Sequence, residues 1–433
     1  MGQKIDPFFI KFLKLCYYKK EMKITDVNIK IISDSRGKET LEAELKTADI
    51  SVSASVPAGK STGTHEAFVL EPKNALKKFE EIKSKVLGQD FNKQEDFDNF
   101  LISLDGTSNK QNLGGNLILA LSLSWARLKA KNEGKELFQY INKELGTSNQ
   151  EIGTPRPVFN VINGGVHATH PKSKLEFQEF QVIPSVEDFG IALSVGREFY
   201  RKLQTLLENK FGKENISLGD EAGFSAPFKN NEEAIEVLAE LIDKHSYPLR
   251  IGLDIAASQF YKSGGFLRES GYVVDGKKHS VEELKDLYLK LIETYNILSI
   301  EDPFYEESFD SFASLTADSR GLDADRRGLL VITDDLTTTN PERLKTAINK
   351  KSGNAILIKL NQIGTLTETL KVVKLAYENN WQAIVSHRSG ETMDDFIADL
   401  AVGINAWGIK AGAPAKPERL IKYERVLEIV DKK

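Results

Sequence analysis

Cysteine is almost missing from this chain: Cys16 is the only one in 433 residues. That excludes an intrachain disulfide and any cysteine-rich zinc site, and it fits a reducing compartment. A strong charge of either sign is missing too. Lys and Arg number 58 against 63 Asp and Glu, a net charge of −5, which leaves no basic footprint for nucleic acid. No apolar run approaches the length that spans a bilayer, so no membrane partner is expected. The nearest candidate, Phe8–Leu15, is interrupted by Lys11 and Lys14 and has no small-residue cleavage site after it, unlike a signal peptide. Internal repeats and low-complexity tracts are absent as well. Residues 1–21 read as a leader outside the fold, because Met22-Lys23-Ile24-Thr25 has the form of a natural start running into a strand. The alternative is a short amphipathic anchor.

What is present is the material of a globular protein, 40% hydrophobic and 28% charged, at a length that predicts two domains. From Ile24 to Pro57 the pattern is strand, turn, strand, strand, with Ser33-Asp34-Ser35-Arg36-Gly37-Lys38 as the first turn. The alternation in TLEAEL and ISVSASV predicts half-buried antiparallel strands. A small-residue loop, Pro57-Ala58-Gly59-Lys60-Ser61-Thr62-Gly63, follows; it lacks the spacing of a nucleotide P-loop. Helical periodicity covers roughly 73–87, 94–104 and 115–144. The segment Gly146–Gln150, closed by Pro155 and Pro157, marks a domain boundary, giving 22–150 and 151–433.

The second half carries a series of short apolar runs, each ending on a charged or amide residue. They are ISLGDEAG (216–223), RIGLDIAA (250–257), ILSIEDP (297–303), LLVITDD (329–335), AILIKLNQ (355–362), AIVSHRSG (383–390) and WGIKAG (407–412). Val/Ile/Leu runs without alternation suit parallel strands covered on both faces, and most are separated by enough chain for a helix. In a barrel of such strands the C-terminal ends converge on one face. That would gather Glu221, Asp254, Glu301, Asp334, Lys359, His387, Arg388 and Lys410. Two earlier runs, PVFNVINGG (157–165) and FQEFQVIP (177–184), leave little room for a helix between them, so the barrel opens irregularly. The charged segment 317–328 reads as a surface loop.

Asp254, Glu301 and Asp334 would repel one another at close range unless a cation neutralised them. All-oxygen ligation favours Mg²⁺ over zinc; the competing reading makes each a helix N-cap. Lys359 follows Ala-Ile-Leu-Ile. Burial and a neighbouring Lys410 would lower its pKa toward that of a general base, whereas a salt bridge to one of the carboxylates would make it structural. His387-Arg388-Ser389-Gly390 suits either an anion clamp or a locally bonded loop. His167, after Asn163-Gly164-Gly165, is either an acid/base or ligand group or a structural histidine.

From Ile24 to the C-terminus the chain resembles the enolases, the phosphopyruvate hydratases. The resemblance rests on Asp34-Ser35-Arg36-Gly37, Ser61-Thr62-Gly63, Asn163-Gly164-Gly165, Gln178-Glu179-Phe180, Gly219-Asp220-Glu221, Ser299-Ile300-Glu301-Asp302-Pro303-Phe304, Asp334-Asp335-Leu336, Lys359-Leu360-Asn361-Gln362-Ile363-Gly364-Thr365, Ser386–Thr392 and Ile409–Pro414. It implies an α/β protein: an N-terminal α+β domain, then a TIM-like barrel with an irregular ββαα opening. It also implies reversible dehydration of 2-phosphoglycerate to phosphoenolpyruvate, the lysine-base and Mg²⁺ chemistry established for that superfamily. Lys359 would remove the C2 proton and Glu221 would act as acid, with Glu179 beside it. Asp254, Glu301 and Asp334 would hold one Mg²⁺, and Ser61 would close over a second. Arg388 and Ser389 would bind phosphate and Lys410 the carboxylate, with Gln178, His167 and His387 completing the pocket. A cytoplasmic homodimer or higher homo-oligomer is implied as well.

The chain departs from the family pattern at Ala58 and Lys60, at Ala222, at Gln259 where a Glu is usual, and in a longer 168–177 loop. Glu428 stands where an arginine of the family's dimer contact is expected. The alternatives are a superfamily enzyme acting on another carboxylate, or an enolase-like scaffold.

Overall fold

In the computed structural model the described residues are 22–60, 65–147, 151–264, 270–319 and 328–432. The strands Asp26–Ser33, Glu39–Lys46 and Ser51–Ser55 form an antiparallel sheet in that order. Their alternation buries Val27, Ile29, Leu41, Ala43, Leu45, Val52 and Ala54 on one face, as a half-covered sheet requires. The helices Pro72–Val86, Gln94–Asp105, Gly115–Asn132 and Leu137–Leu145 follow.

Gly115–Asn132 is buried almost all round, the signature of a helix enclosed on every side. It packs on two of the strands, on Gln94–Asp105 and on a short turn, Leu360–Ile363, from the second half of the chain. The periodicity of 115–144 predicted one helix; there are two. Gly134 takes φ 65°, Lys135 N–H reaches Ala130 O at 2.9 Å, and Gly134 N–H reaches Lys131 O at 3.1 Å. That pair of bonds is a Schellman stop. Glu136 and Gln139 then form a capping box that restarts the chain as Leu137–Leu145.

Eight strands close the barrel: Arg156–Asn163, Glu179–Pro184, Leu249–Asp254, Ile297–Glu301, Leu330–Thr333, Ala355–Ile358, Gln382–Ser386 and Gly408–Lys410. Closure comes from Gly408–Lys410 pairing in parallel with the first strand. Glu179–Pro184 runs antiparallel to both neighbours, and the helices Phe189–Phe211 and Asn231–His245 come before the third strand. The opening is therefore ββαα. No helix among the described residues is long and apolar enough to cross a membrane.

One predicted barrel strand is not a barrel strand. Residues 216–223 form half of a tiny hairpin, Ser217–Leu218 against Phe224–Ser225, attached to the first strand at Ile162. A Cβ at Gly219 would lie 2.0 Å from Asn163 Nδ2, and one at Gly223 1.9 Å from Asn163 Oδ1. Two glycines straddling Asn163 thus let the chain double back, and Glu221 projects from the turn between them. Of segment 317–328, Ala317 and Asp318 end the helix Phe309–Asp318; residues 320–327, the 1–21 leader and Ser61 lie outside the described residues.

Candidate active site

The antiparallel second strand sets the first row of the site. Because it runs backwards, its first residue, Glu179, pairs in register with Asp254, the last residue of its neighbour. Asp254 pairs in turn with Glu301. Three carboxylates therefore stand side by side at one end of the barrel. Lys410, ending the last strand, reaches all of them: Nζ is 3.0 Å from Asp254, 2.9 Å from Glu301 and 3.0 Å from Glu179. Burial alone would drive the Lys410 proton off, but the three carboxylates hold its pKa well above the ordinary lysine range. Burial, then the charges of Asp254, Asp334 and Glu179, push the Glu301 carboxyl well up.

Lys359 ends the strand Ala355–Ile358 and is bonded directly to Asp334. Its ammonium is held above the usual range, opposite to the lowering expected from burial and Lys410. Burial, Arg388 and Lys410 do act downward, but contact with Asp334 outweighs them. Gln362 Nε2 also donates to Asp334, at 3.1 Å. None of the three expected ligands caps a helix: the N-caps after Asp334 and Glu301 are Asn340 and Ser308, and Ala256 follows Asp254.

Glu221 occupies the next corner. Asn160 donates to Oε2 at 2.9 Å, His167 Nδ1 lies 3.8 Å away and His387 Nε2 3.5 Å away. Against the effect of burial, the charges of His167 and Arg419, with the His387 ring beside them, hold Glu221 well below the carboxylate range. Burial, with Arg419 adding to it, pushes His387 down to about 4. The neutral ring accepts from Arg419 at Nδ1, so Nε2 carries the hydrogen and faces Glu221. His167 also lies 3.5 Å from Glu179. Despite burial, Glu221 and Glu179 raise its pKa. Glu179 itself is raised by burial and by the charges of Glu221 and Asp254.

Arg388 forms the remaining wall. Its Nη1 donates to Asn361 at 2.8 Å and to Glu66 at 3.2 Å. Ser389 is buried beside it, its carbonyl accepting from Arg419 at 2.6 Å. Backbone bonds between Ala58 and Gly390, at 2.9 Å each way, dock the 57–60 loop on this wall. Arg36, paired with Asp34, holds the Ala58 and Gly59 carbonyls. Lys60 turns to the carbonyl of Val166 at 2.6 Å. Gln178 donates to Asp254 at 3.2 Å and accepts from Gln259, whose own carbonyl receives Val166 N–H at 3.1 Å.

The barrel face thus brings together Gln178, Glu179, Asp254, Glu301, Asp334, Lys359, Arg388 and Lys410. Glu221, His167 and His387 join it through Glu179 and Lys410's neighbours. Arg419, Asn160 and Glu66 escaped the sequence reading. Arg419 is fully buried, yet a helix start after Pro417 gives no hint of it. Asn361 and Gln362 did carry a signal, since they follow Lys359 directly.

For a divalent cation the donors fit. They are buried hard oxygens gathered at one end of the barrel. Groups with ligand atoms within 4.8 Å of one another are Asp302/Asp334/Asp335 and His167/Glu179/Glu221. The expected trio is not so gathered, because Lys410 draws Asp254 and Glu301 to itself while Lys359 holds Asp334.

The enolase N-terminal domain model matches residues 24–141, and the enolase C-terminal TIM barrel domain model matches 151–433. The enolase of Methanocaldococcus jannaschii is 41% identical over 425 residues, covering 95% of each chain. Enolase B of Dictyostelium discoideum is 40% identical over 429 residues, covering 94% of each. With likeness running through both halves and a carboxylate–lysine face at the barrel's mouth, this chain belongs to the enolase family.

Proposed function

We propose that the chain is a phosphopyruvate hydratase, a hydro-lyase interconverting 2-phosphoglycerate and phosphoenolpyruvate in glycolysis and gluconeogenesis. The observation that supports it best is the part-buried Lys359–Asp334 contact in the same barrel face as Arg388 and the Glu179–Asp254–Glu301 row. The Arg388 side chain and retention of the full base, acid and carboxylate set weigh against another carboxylate substrate and against a scaffold without catalysis.

In this reading Asp254, Glu301 and Asp334 hold one Mg²⁺ and Ser61 contributes to a second. When bound, Mg²⁺ would neutralise the substrate carboxylate and the charge that builds up on it. Arg388 and Ser389 bind the phosphate, while Lys410 faces the carboxylate, with Gln178 beside it. Once Asp334 no longer spends its charge on Lys359, Arg388 and Lys410 lower the Lys359 pKa and leave its Nζ free to take the C2 proton. The C3–O bond then breaks as C2=C3 forms, and the hydroxyl leaves as water with a proton from Glu221. Glu221 is held low, so it must take up a proton before it can act, and His167, whose pKa is raised, stands 3.8 Å away as the imidazole that would supply it. Neutral His387 orients Glu221.

Residues 22–150 are the capping domain and 151–433 the catalytic one in this proposal. A cytoplasmic homodimer or higher homo-oligomer accompanies the family assignment. The test is phosphoenolpyruvate absorbance after adding 2-phosphoglycerate with and without Mg²⁺. A Mg²⁺-dependent rise is expected, and no rise at any Mg²⁺ concentration would overturn the proposal.

A further inference from the structure

Two consecutive threonines in the turn after Asp334 hold left-handed backbone, Thr338 at φ 48° and Thr339 at φ 50°. A β-branched residue resists that region because its side chain crowds its own backbone. Both residues are buried. Strain retained in a buried turn beside reacting groups marks a functional constraint.

The hydrogen bonds show what the turn achieves. It brings Thr339 Oγ1 to the end of the strand Ala355–Ile358, where it accepts the Lys359 backbone N–H at 3.0 Å. The same hydroxyl meets Gln362 Oε1 at 2.7 Å, and Gln362 Nε2 meets Asp334 Oδ1 at 3.1 Å. The second Asp334 oxygen carries the Lys359 ammonium. The direction of this ring is forced. Ionised Asp334 can only accept, so Gln362 faces it with Nε2 and faces Thr339 with Oε1. Thr339 must then donate to Gln362, which leaves its lone pairs for the Lys359 N–H. One hydroxyl thereby ties the main chain of Lys359 to the side-chain partner of Asp334. Gln362 is itself anchored, its carbonyl accepting from Ala67 N–H at 2.7 Å.

We propose that Thr339 is a positioning residue for proton transfer, fixing the Lys359 main chain and, through Gln362, the orientation of the Asp334 carboxylate beside it. The inference rests on Lys359 as the base. It extends that reading to a group that touches neither substrate nor metal.

Valine at this position keeps the shape and removes both bonds together with the longer 3.5 Å contact to the Leu357 carbonyl; serine keeps all three and loses only a methyl. In the Mg²⁺-saturated full chain, Thr339→Val should lower kcat by at least about tenfold with KM within about twofold. The primary isotope effect with C2-deuterated 2-phosphoglycerate should grow, because proton abstraction becomes the slower step. Thr339→Ser should restore kcat to within about threefold of the parent. Should the valine variant not fold, Thr339→Gly replaces it: glycine accepts the left-handed backbone without strain and lacks the hydroxyl. A hydroxyl-free variant with parent kcat and isotope effect, or a serine variant as impaired as valine, overturns the proposal. Near-normal turnover in Lys359→Ala would instead overturn the base assignment, whatever the Thr339 variants do.

Discussion

Glu66 Oε2 lies 3.2 Å from Arg388 Nη1, with side-chain exposures of only 5% and 7%. The guanidinium proposed to receive the substrate phosphate is therefore already paired with an internal carboxylate. An incoming phosphate has to displace that contact or share it. Glu66→Gln removes the charge and keeps the shape, so one internal carboxylate no longer competes with an incoming anion for Arg388. The variant should bind inorganic phosphate and 2-phosphoglycerate more tightly, by roughly threefold to tenfold in titration calorimetry and KM. Weaker binding would mean that Glu66 orients Arg388 and does not compete for it.

Lys359→Ala should reduce kcat by roughly 10²–10⁴, the span of general-base catalysis. It should also expose the pairing seen here. Without Mg²⁺ the variant leaves buried Asp334 with the Gln362 amide but without the ammonium bonded to it, so its melting temperature should fall; saturating Mg²⁺ should recover most of the loss. A variant with parent-like turnover refutes the base role. One whose melting temperature is unchanged in metal-free buffer refutes the pairing.

Asp254→Asn, Glu301→Gln and Asp334→Asn each replace a charged hard oxygen with a neutral amide. Each should raise the Mg²⁺ concentration needed for half-maximal activity by at least about tenfold, a loss of about 1.4 kcal/mol. If all three titrate like the parent, these carboxylates serve only as partners for Lys410 and Lys359.

His387 gives the fold an acid sensitivity. Its folded pKa is near 4 against an ordinary 6.5, so between those values the unfolded chain binds a proton that the folded one refuses. Stability contributed by the neutral ring is complete above 6.5 and declines as pH falls toward 4. The loss should reach about 2 kcal/mol by about pH 5. His387→Gln keeps an acceptor for Arg419 and a donor for Glu221 but cannot take up the proton. Urea unfolding at neutral pH and about pH 5 should therefore show a smaller drop for the variant. Equal drops would exclude His387 as the source.

Ala222, where the family pattern has glycine, sits at φ 65° and is fully buried. Left-handed backbone costs alanine about 1–2 kcal/mol. Its buried methyl returns about 0.8 kcal/mol, and its smaller unfolded-state entropy returns about 0.4–1 kcal/mol. These terms nearly cancel. Ala222→Gly should shift stability by less than about 1 kcal/mol and leave turnover intact; a larger change in either measurement would show that the methyl has a role in the Glu221 turn.

Some of this protein was legible without any structure. Runs such as Ala355–Ile358, with no polar alternation, suit parallel strands covered on both faces, and in a barrel of such strands Lys359, Asp334 and Arg388 come near one rim. The motif around Gln178 and Glu179 was visible only as a likeness. Their place in the carboxylate row depends on one strand running backwards, and strand direction is not written in a run of apolar residues. Residues 216–223 looked like another strand because their composition does; the close approach of Gly219 and Gly223 to Asn163 turned them into a hairpin. The 115–144 periodicity hid a break that needs Gly134 in a left-handed conformation.

By itself, then, the sequence determined most of the strand and helix segments, and which charged residues end the later barrel strands, because local pattern and the need to bury apolar surface decide those. Tertiary structure alone decided that Lys410 binds three carboxylates at once, that Asp334 holds the Lys359 proton, that burial with Arg419 keeps His387 neutral, and that Glu66 occupies Arg388. Each of these depends on distances between residues far apart in the chain and on how far water is excluded around them. Charge–charge energies vary with both, so no one segment carries the information.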